Sequence, residues 1–121
     1  MVSIDASELT TRELNRQIRA IVAEGNEEIV ITSPSARHNL TVGIRQECTI
    51  TIEGSVGYYT ASQLDGPNIT IKGNSGWALG ENLMSGKISL SRNAGASVAA
   101  SMRGGEIFIG GSAGSRAGIG M

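Results

Sequence analysis

The sequence is poor in the residues that most often carry chemistry. Its 121 residues include one cysteine, one histidine, one tryptophan and one phenylalanine. A single cysteine, Cys48, excludes an internal disulfide and fits a reducing compartment. One histidine with one cysteine cannot furnish a zinc set. Aromatics are 3% of the chain, so a core must be built from Ile, Leu, Val, Met and Ala. The formal net charge of −1 leaves no basic footprint for nucleic acid and no polybasic membrane signal. No apolar run approaches the roughly 18 residues of a membrane span. Met1 to Thr10 lacks the basic and apolar regions of a secretory signal. These absences predict a cytoplasmic chain with neither nucleic acid nor membrane among its partners.

What is abundant is glycine, 17 residues of 121, which is about twice the usual share. The glycines are not scattered. Gly57, Gly76, Gly95 and Gly114 stand 19 residues apart, and so do Ile50/Ile52, Ile69/Ile71, Ile88/Leu90 and Ile107/Ile109. A third column runs Leu64, Leu83, Met102, Met121, and a fourth, of small residues, Ala61, Gly80, Ala99, Gly118. A fixed period near 20 residues signals a solenoid. Each repeat opens with alternation, as in Ile69-Thr70-Ile71-Lys72, and continues in Gly, Ser, Asn and Ala, poor material for a helix. The Leu-rich consensus is absent. The expectation is an all-β, single-stranded parallel β-helix with 19-residue rungs over residues 46–121, right-handed because parallel crossovers almost always are.

The columns then acquire roles. Ile stacks on Ile in the interior. The small column marks inward curvature, and the Gly57 column a turn of positive φ. Ser55, Asn74, Asn93 and Ser112 form a polar column able to bond from rung to rung, and Glu53 lies over Lys72 on the outer face.

Residues 1–45 follow a different pattern and read as a short α/β cap. Leu14, Ile18, Ile21 and Val22 share a helical face, Thr10 and Glu13 have capping-box spacing, Leu9 with Leu14 suits a staple, and Gly25-Asn26 supplies a stop. A helix is predicted at about 11–24, a strand at Glu28–Ile31, and a weaker strand at Leu40–Ile44.

Motifs for chemistry fail on inspection. The segment from Gly80 to Ile88 looks like a phosphate-binding loop, but Glu81 stands where its first Gly belongs and Ile88 where Ser or Thr must follow the Lys. His38 beside Arg37 reads as a structural hydrogen-bond donor, and Cys48 as a small apolar filler. A polysaccharide-cleaving β-helix needs a groove of aromatics and carboxylates, for which residues are too few. No catalytic, cofactor-binding or metal-binding residue is assigned. The outward aromatics Tyr58, Tyr59, Trp77 and Phe108 are instead candidate interface anchors. Local packing of the rings over the turn is the competing reading.

The repeat resembles the GXGXG family, the β-helix domain at the C-terminal end of the glutamate synthase large subunit. The segments that carry the likeness are Ile52-Glu53-Gly54-Ser55-Val56-Gly57-Tyr58-Tyr59, Gly73-Asn74-Ser75-Gly76, Glu81-Asn82-Leu83-Met84-Ser85-Gly86 and Arg103-Gly104-Gly105. They look most like the stand-alone type of N-methylglutamate synthase. A related β-helical component occurs in formylmethanofuran dehydrogenase. The resemblance implies a non-catalytic scaffold for glutamine amidotransferase-type and FMN-containing synthase-type subunits. The alternative it implies is the structural, β-helical component of a formylmethanofuran dehydrogenase-like complex. Family members continue through more rungs, whereas this sequence stops at Met121. A bare final rung through Ile107, Ile109 and Met121 is therefore expected to be a contact surface, for a partner or for a homo-oligomer.

Overall fold

The computed structural model describes residues 2–7, 9–25, 28–36, 38–96, 98 and 102–112. Among these residues six strands pair in chain order into one parallel sheet: β1 (Val2–Asp5), β2 (Glu28–Thr32), β3 (Thr49–Glu53), β4 (Asp65–Ile71), β5 (Ser85–Leu90) and β6 (Glu106–Ile109). One helix, α1 (Thr11–Ala23), connects β1 to β2. Parallel neighbours in chain order require the chain to circle and return after every strand, which makes this a parallel β-helix.

The alternation read in the sequence sets the register. Ile50 lies opposite Ile69, Ile69 opposite Ile88, and Ile88 opposite Ile107. The parallel row is Ile52, Ile71, Leu90, Ile109. Both rows are buried through β5 and partly buried at β6. A slip of one residue would turn every one of these side chains outward, at about 1.5–3 kcal/mol per aliphatic side chain. The 19-residue period is therefore the register itself.

The sheet also extends through the N-terminal segment. Val2 pairs with Ile29 and Ile29 with Ile50, so the same inner row continues at longer offsets. Helix α1 occupies the stretch of chain that a turn wall occupies in later coils. Its start is a full capping box: the Thr10 hydroxyl accepts from Glu13 N–H at 3.1 Å, and the Glu13 carboxylate accepts from Thr10 N–H at 3.4 Å. Gly25, with φ +92°, donates its N–H to Val22 O just past the helix end. Leu14, Ile18 and Val22 are buried in the common core.

The wall between strands has a repeating backbone. Tyr59, Ala61 and Gln63 have φ of 55°, 58° and 55°; one coil on, Ala78, Gly80 and Asn82 have 57°, 70° and 57°. One coil earlier, Asn39, Thr41 and Gly43 have 56°, 54° and 71°. The expected strand at Leu40–Ile44 is therefore corrected: this stretch is wall, with left-handed residues at every second position. Its apolar residues, Leu40, Val42 and Ile44, alternate as in a strand, with Leu40 and Ile44 buried in the core, but Thr41 between them is buried too. Left-handed non-glycine residues cost roughly 1–2 kcal/mol each. Hydrogen bonds between walls offset this: Asn39 N–H to Tyr58 O at 2.7 Å, Ala61 N–H to Leu40 O at 2.8 Å, Tyr59 N–H to Trp77 O at 2.8 Å, Gly80 N–H to Thr60 O at 3.1 Å.

The Gly57 column needs a second correction. Gly57, Gly76 and Gly95 do not have positive φ. They are glycines because coils touch there. A Cβ on Gly76 would lie 2.8 Å from the Gly57 carbonyl carbon, and one on Gly95 would lie 2.8 Å from that of Gly76. Gly114 lies outside the described residues. The small column does face inward: Ala61 is fully buried, and a Cβ on Gly80 would meet Ile107 Cδ1 at 2.7 Å and Ile88 Cδ1 at 3.0 Å. Ala99 and Gly118 are outside the described residues.

The polar column bonds from coil to coil. Ser55 Oγ accepts from Asn74 N–H at 3.0 Å, Asn74 Oδ1 from Asn93 N–H at 2.9 Å, and Asn93 Oδ1 from Ser112 N–H at 2.8 Å. Glu53 and Lys72 approach to 4.0 Å with both side chains exposed.

Candidate interaction surface

The register that stacks Ile on Ile also stacks residues outside. Tyr58 and Trp77 follow Gly57 and Gly76 at the start of successive walls, and their rings stack with centroids 5.1 Å apart and 25° between planes. His38 joins them one coil earlier, 4.1 Å from Tyr58 and 13° from parallel. Three rings thus form one ladder on the outside of the solenoid. Tyr58 is 42% exposed and Trp77 59%.

The histidine is held by its ring nitrogen. His38 Nδ1 accepts the Tyr58 backbone N–H at 2.8 Å, so it acts there as an acceptor, where a donor was expected. A Cβ on Gly57 would collide with that same nitrogen. The glycine therefore makes room for the imidazole, which in turn covers one face of Tyr58. Arg37, its neighbour, lies outside the described residues.

The remaining anchors stand apart from the ladder. Tyr59 is 46% exposed, held by its N–H bond to Trp77 O. Phe108 sits on the outer face of β6 opposite Ser89, 52% exposed, with the Lys87 ammonium 5.8 Å from its centroid. Met121 lies outside the described residues. Sequence reading missed Met84, half exposed at the rim of a groove of about 320 Å³ shared with Arg45, Gln63, Asp65 and Asn82. It also missed His38 as a ladder member, because His38 precedes Tyr58 by 20 residues and so falls outside the 19-residue columns.

Among the described residues, two titrating groups are shifted. The Ser7 backbone N–H holds the Asp5 carboxyl below its ordinary range, and burial pushes the Cys48 thiol up. Cys48 is buried immediately before β3 and belongs to the core cluster. Among the described residues no three His, Cys, Asp or Glu side chains converge, and no helix is long and apolar enough to cross a membrane. The arrangement offers recognition: planar rings stacked on one another, with Tyr58 and Trp77 left about half exposed.

No family model and no solved structure matches the chain. Over 67 residues it is 37% identical to protein GlxC of Rhizobium meliloti (strain 1021), a match covering 54% of this chain and 29% of that protein. The matched region is thus less than a third of the relative's length, and the similarity is distant.

Proposed function

We propose that this chain is a non-catalytic structural subunit, related to glutamate synthase, that scaffolds glutamine amidotransferase-type and FMN-containing synthase-type subunits. The observation that carries the scaffold role is the His38–Tyr58–Trp77 ladder, a strip of stacked rings on the outside of a solenoid whose core is aliphatic. Large rings left in water cost apolar exposure, and their usual use is to anchor a partner. The chemistry of the two most reactive side chains agrees. The His38 nitrogen is engaged by a backbone N–H, and the Cys48 thiol is buried with its pKa raised, which disfavours the thiolate nucleophile. The glutamate synthase-type assignment is supported by the segment resemblance and by the distant similarity to GlxC.

The test is purification of the tagged chain from its native host at native expression, with identification of what accompanies it. An amidotransferase and a flavoprotein in fixed ratio are the expected companions. A molybdenum or tungsten oxidoreductase would replace this assignment with the formylmethanofuran dehydrogenase-like one, and turnover by the pure chain would end the non-catalytic reading.

A further inference from the structure

We propose that the groove lined by Arg45, Gln63, Asp65, Asn82 and Met84 binds a free, zwitterionic α-amino acid with a polar side chain. The groove shares no residue with the ring ladder, and the site does not depend on the scaffold reading. Arg45, Asp65 and Met84 stand at one corner of three successive coils, where wall passes into strand. There Asp65 N–H donates to Ile44 O at 3.0 Å, and Met84 N–H to Leu64 O at 2.8 Å. Gln63 and Asn82 precede this corner on adjacent coils, and Gln63 N–H donates to Glu81 O at 2.8 Å. The five side chains enclose about 320 Å³. That volume lies at the small end of small-molecule pockets, roughly 300–1,000 Å³, and suits a ligand of a few heavy atoms.

The charges select the occupant. Adjacent coils lie about 4.8 Å apart, near enough for Arg45 and Asp65 to pair directly. They do not: among the described residues the ion pair within 4.0 Å is Lys72 with Glu53. The Asp65 carboxylate is held from the other side, where its Oδ1 accepts from Ser85 Oγ of the next coil at 2.7 Å. The pairing of β4 with β5 is interrupted by a register shift between Asp65 and Asn68, an irregularity of the kind that re-aims a side chain. Opposite charges that share a groove without meeting suit a ligand that carries both. The Arg45 fork would take the α-carboxylate, and the Asp65 carboxylate the α-ammonium. A phosphate or a dicarboxylate would set its further charge against Asp65. The Gln63 and Asn82 amides supply donors and acceptors for a polar side chain, and Met84 an adaptable apolar edge for its methylenes.

Titration of the full chain with L-glutamine as the probe, followed by nitrogen-resolved NMR, tests this. The side-chain amide signals of Gln63 and Asn82 should shift and saturate. Acetate, methylammonium and L-norleucine should each bind at least tenfold more weakly than L-glutamine. Arg45→Gln and Asp65→Asn should each weaken L-glutamine at least tenfold while melting like the wild type. Asp65→Asn removes the charge but keeps an Oδ1 for the Ser85 hydroxyl, so its loss of binding reads the charge and not the fold. Absence of a saturable shift with L-glutamine overturns the site. Acetate bound as tightly as L-glutamine means an anion held by Arg45 alone and overturns the zwitterion. L-Norleucine bound as tightly overturns the polar side chain. Full affinity in either variant places the ligand elsewhere and overturns the assignment of both charges.

Discussion

The side-chain amide of Asn15 completes the hydrogen bonding of Thr41 as a preceding coil would. Its Oδ1 accepts the Thr41 N–H at 2.8 Å, and its Nδ2 donates to Asn39 O at 2.6 Å. In later coils the equivalent N–H groups of Ala61 and Gly80 reach the carbonyls of Leu40 and Thr60. Helix α1 cannot offer strand-like backbone to its neighbour, because its own backbone groups are bonded within it. One asparagine supplies the donor and acceptor instead.

Asn15→Ala should therefore destabilise the chain by about 1–3 kcal/mol, from two lost bonds at a partly buried site. Asn15→Asp should fall between, keeping the acceptor but setting a carboxylate against the Asn39 carbonyl. Denaturant melts of the three proteins check this; equal midpoints would show that the wall end needs no cap.

Gly76→Ala and Gly95→Ala should each cost about 1–3 kcal/mol, because the added methyl meets backbone of the preceding coil at 2.8 Å. Gly80→Leu should cost at least as much, from overpacking against Ile88 and Ile107 and from its φ of +70°. By contrast, Gly25→Ala has open space around its Cβ and should show only the strain of its positive φ. Thermal melts rank the four. A Gly76→Ala protein as stable as the wild type would mean that the coils are not in contact there.

Asn93→Ala should cost about 1 kcal/mol, and Asn93→Asp should cost less, because Oδ1 alone makes the bond to Ser112 N–H. Lys72→Ala should stay within about 0.5 kcal/mol of the wild type, since the 4.0 Å pair with Glu53 is exposed on both sides. Equilibrium unfolding at two salt concentrations separates the two cases. A salt-sensitive loss at Lys72 comparable to the loss at Asn93 would contradict this ranking.

These contrasts separate what the amino-acid sequence specifies by its spacing from what it does not. Columns spaced by 19 residues gave the pairing of β3 to β6, the Ser55–Asn74–Asn93 ladder and the Tyr58–Trp77 contact, because an uninterrupted period is itself a register. The earlier coils were hidden by their length. Ile29 precedes Ile50 by 21 residues and Val2 precedes Ile29 by 27, so no column reaches back to β1 and β2. The wall at Leu40–Ile44 has the sequence pattern of a strand because alternating left-handed residues also give a period of two. The reason for Gly76 was hidden as well, since close backbone approach and positive φ both call for glycine.

Cys48 should resist alkylation in the native chain at neutral pH and react quickly in denaturant, as burial raises its pKa and limits access. The sign follows: the raised pKa leaves the thiol form undisturbed at neutral pH and lowers stability only as pH rises past the unfolded value. Mass-resolved alkylation across pH 7 to 10 measures it, and rapid native labelling at pH 7 would mean that Cys48 is accessible.

On the proposed function the ring ladder is an exterior docking strip and not a prop for the fold. The direct measurement is the double variant Tyr58→Ala, Trp77→Ala, with its melting temperature taken beside its affinity for the amidotransferase-type and synthase-type subunits. The expected result is a melt shifted by no more than the loss of two surface ring contacts, about 1–3 kcal/mol, and binding weakened at least a hundredfold. A collapsed melting temperature with full affinity in whatever remains folded would contradict it, and would make the ladder local packing over the turn.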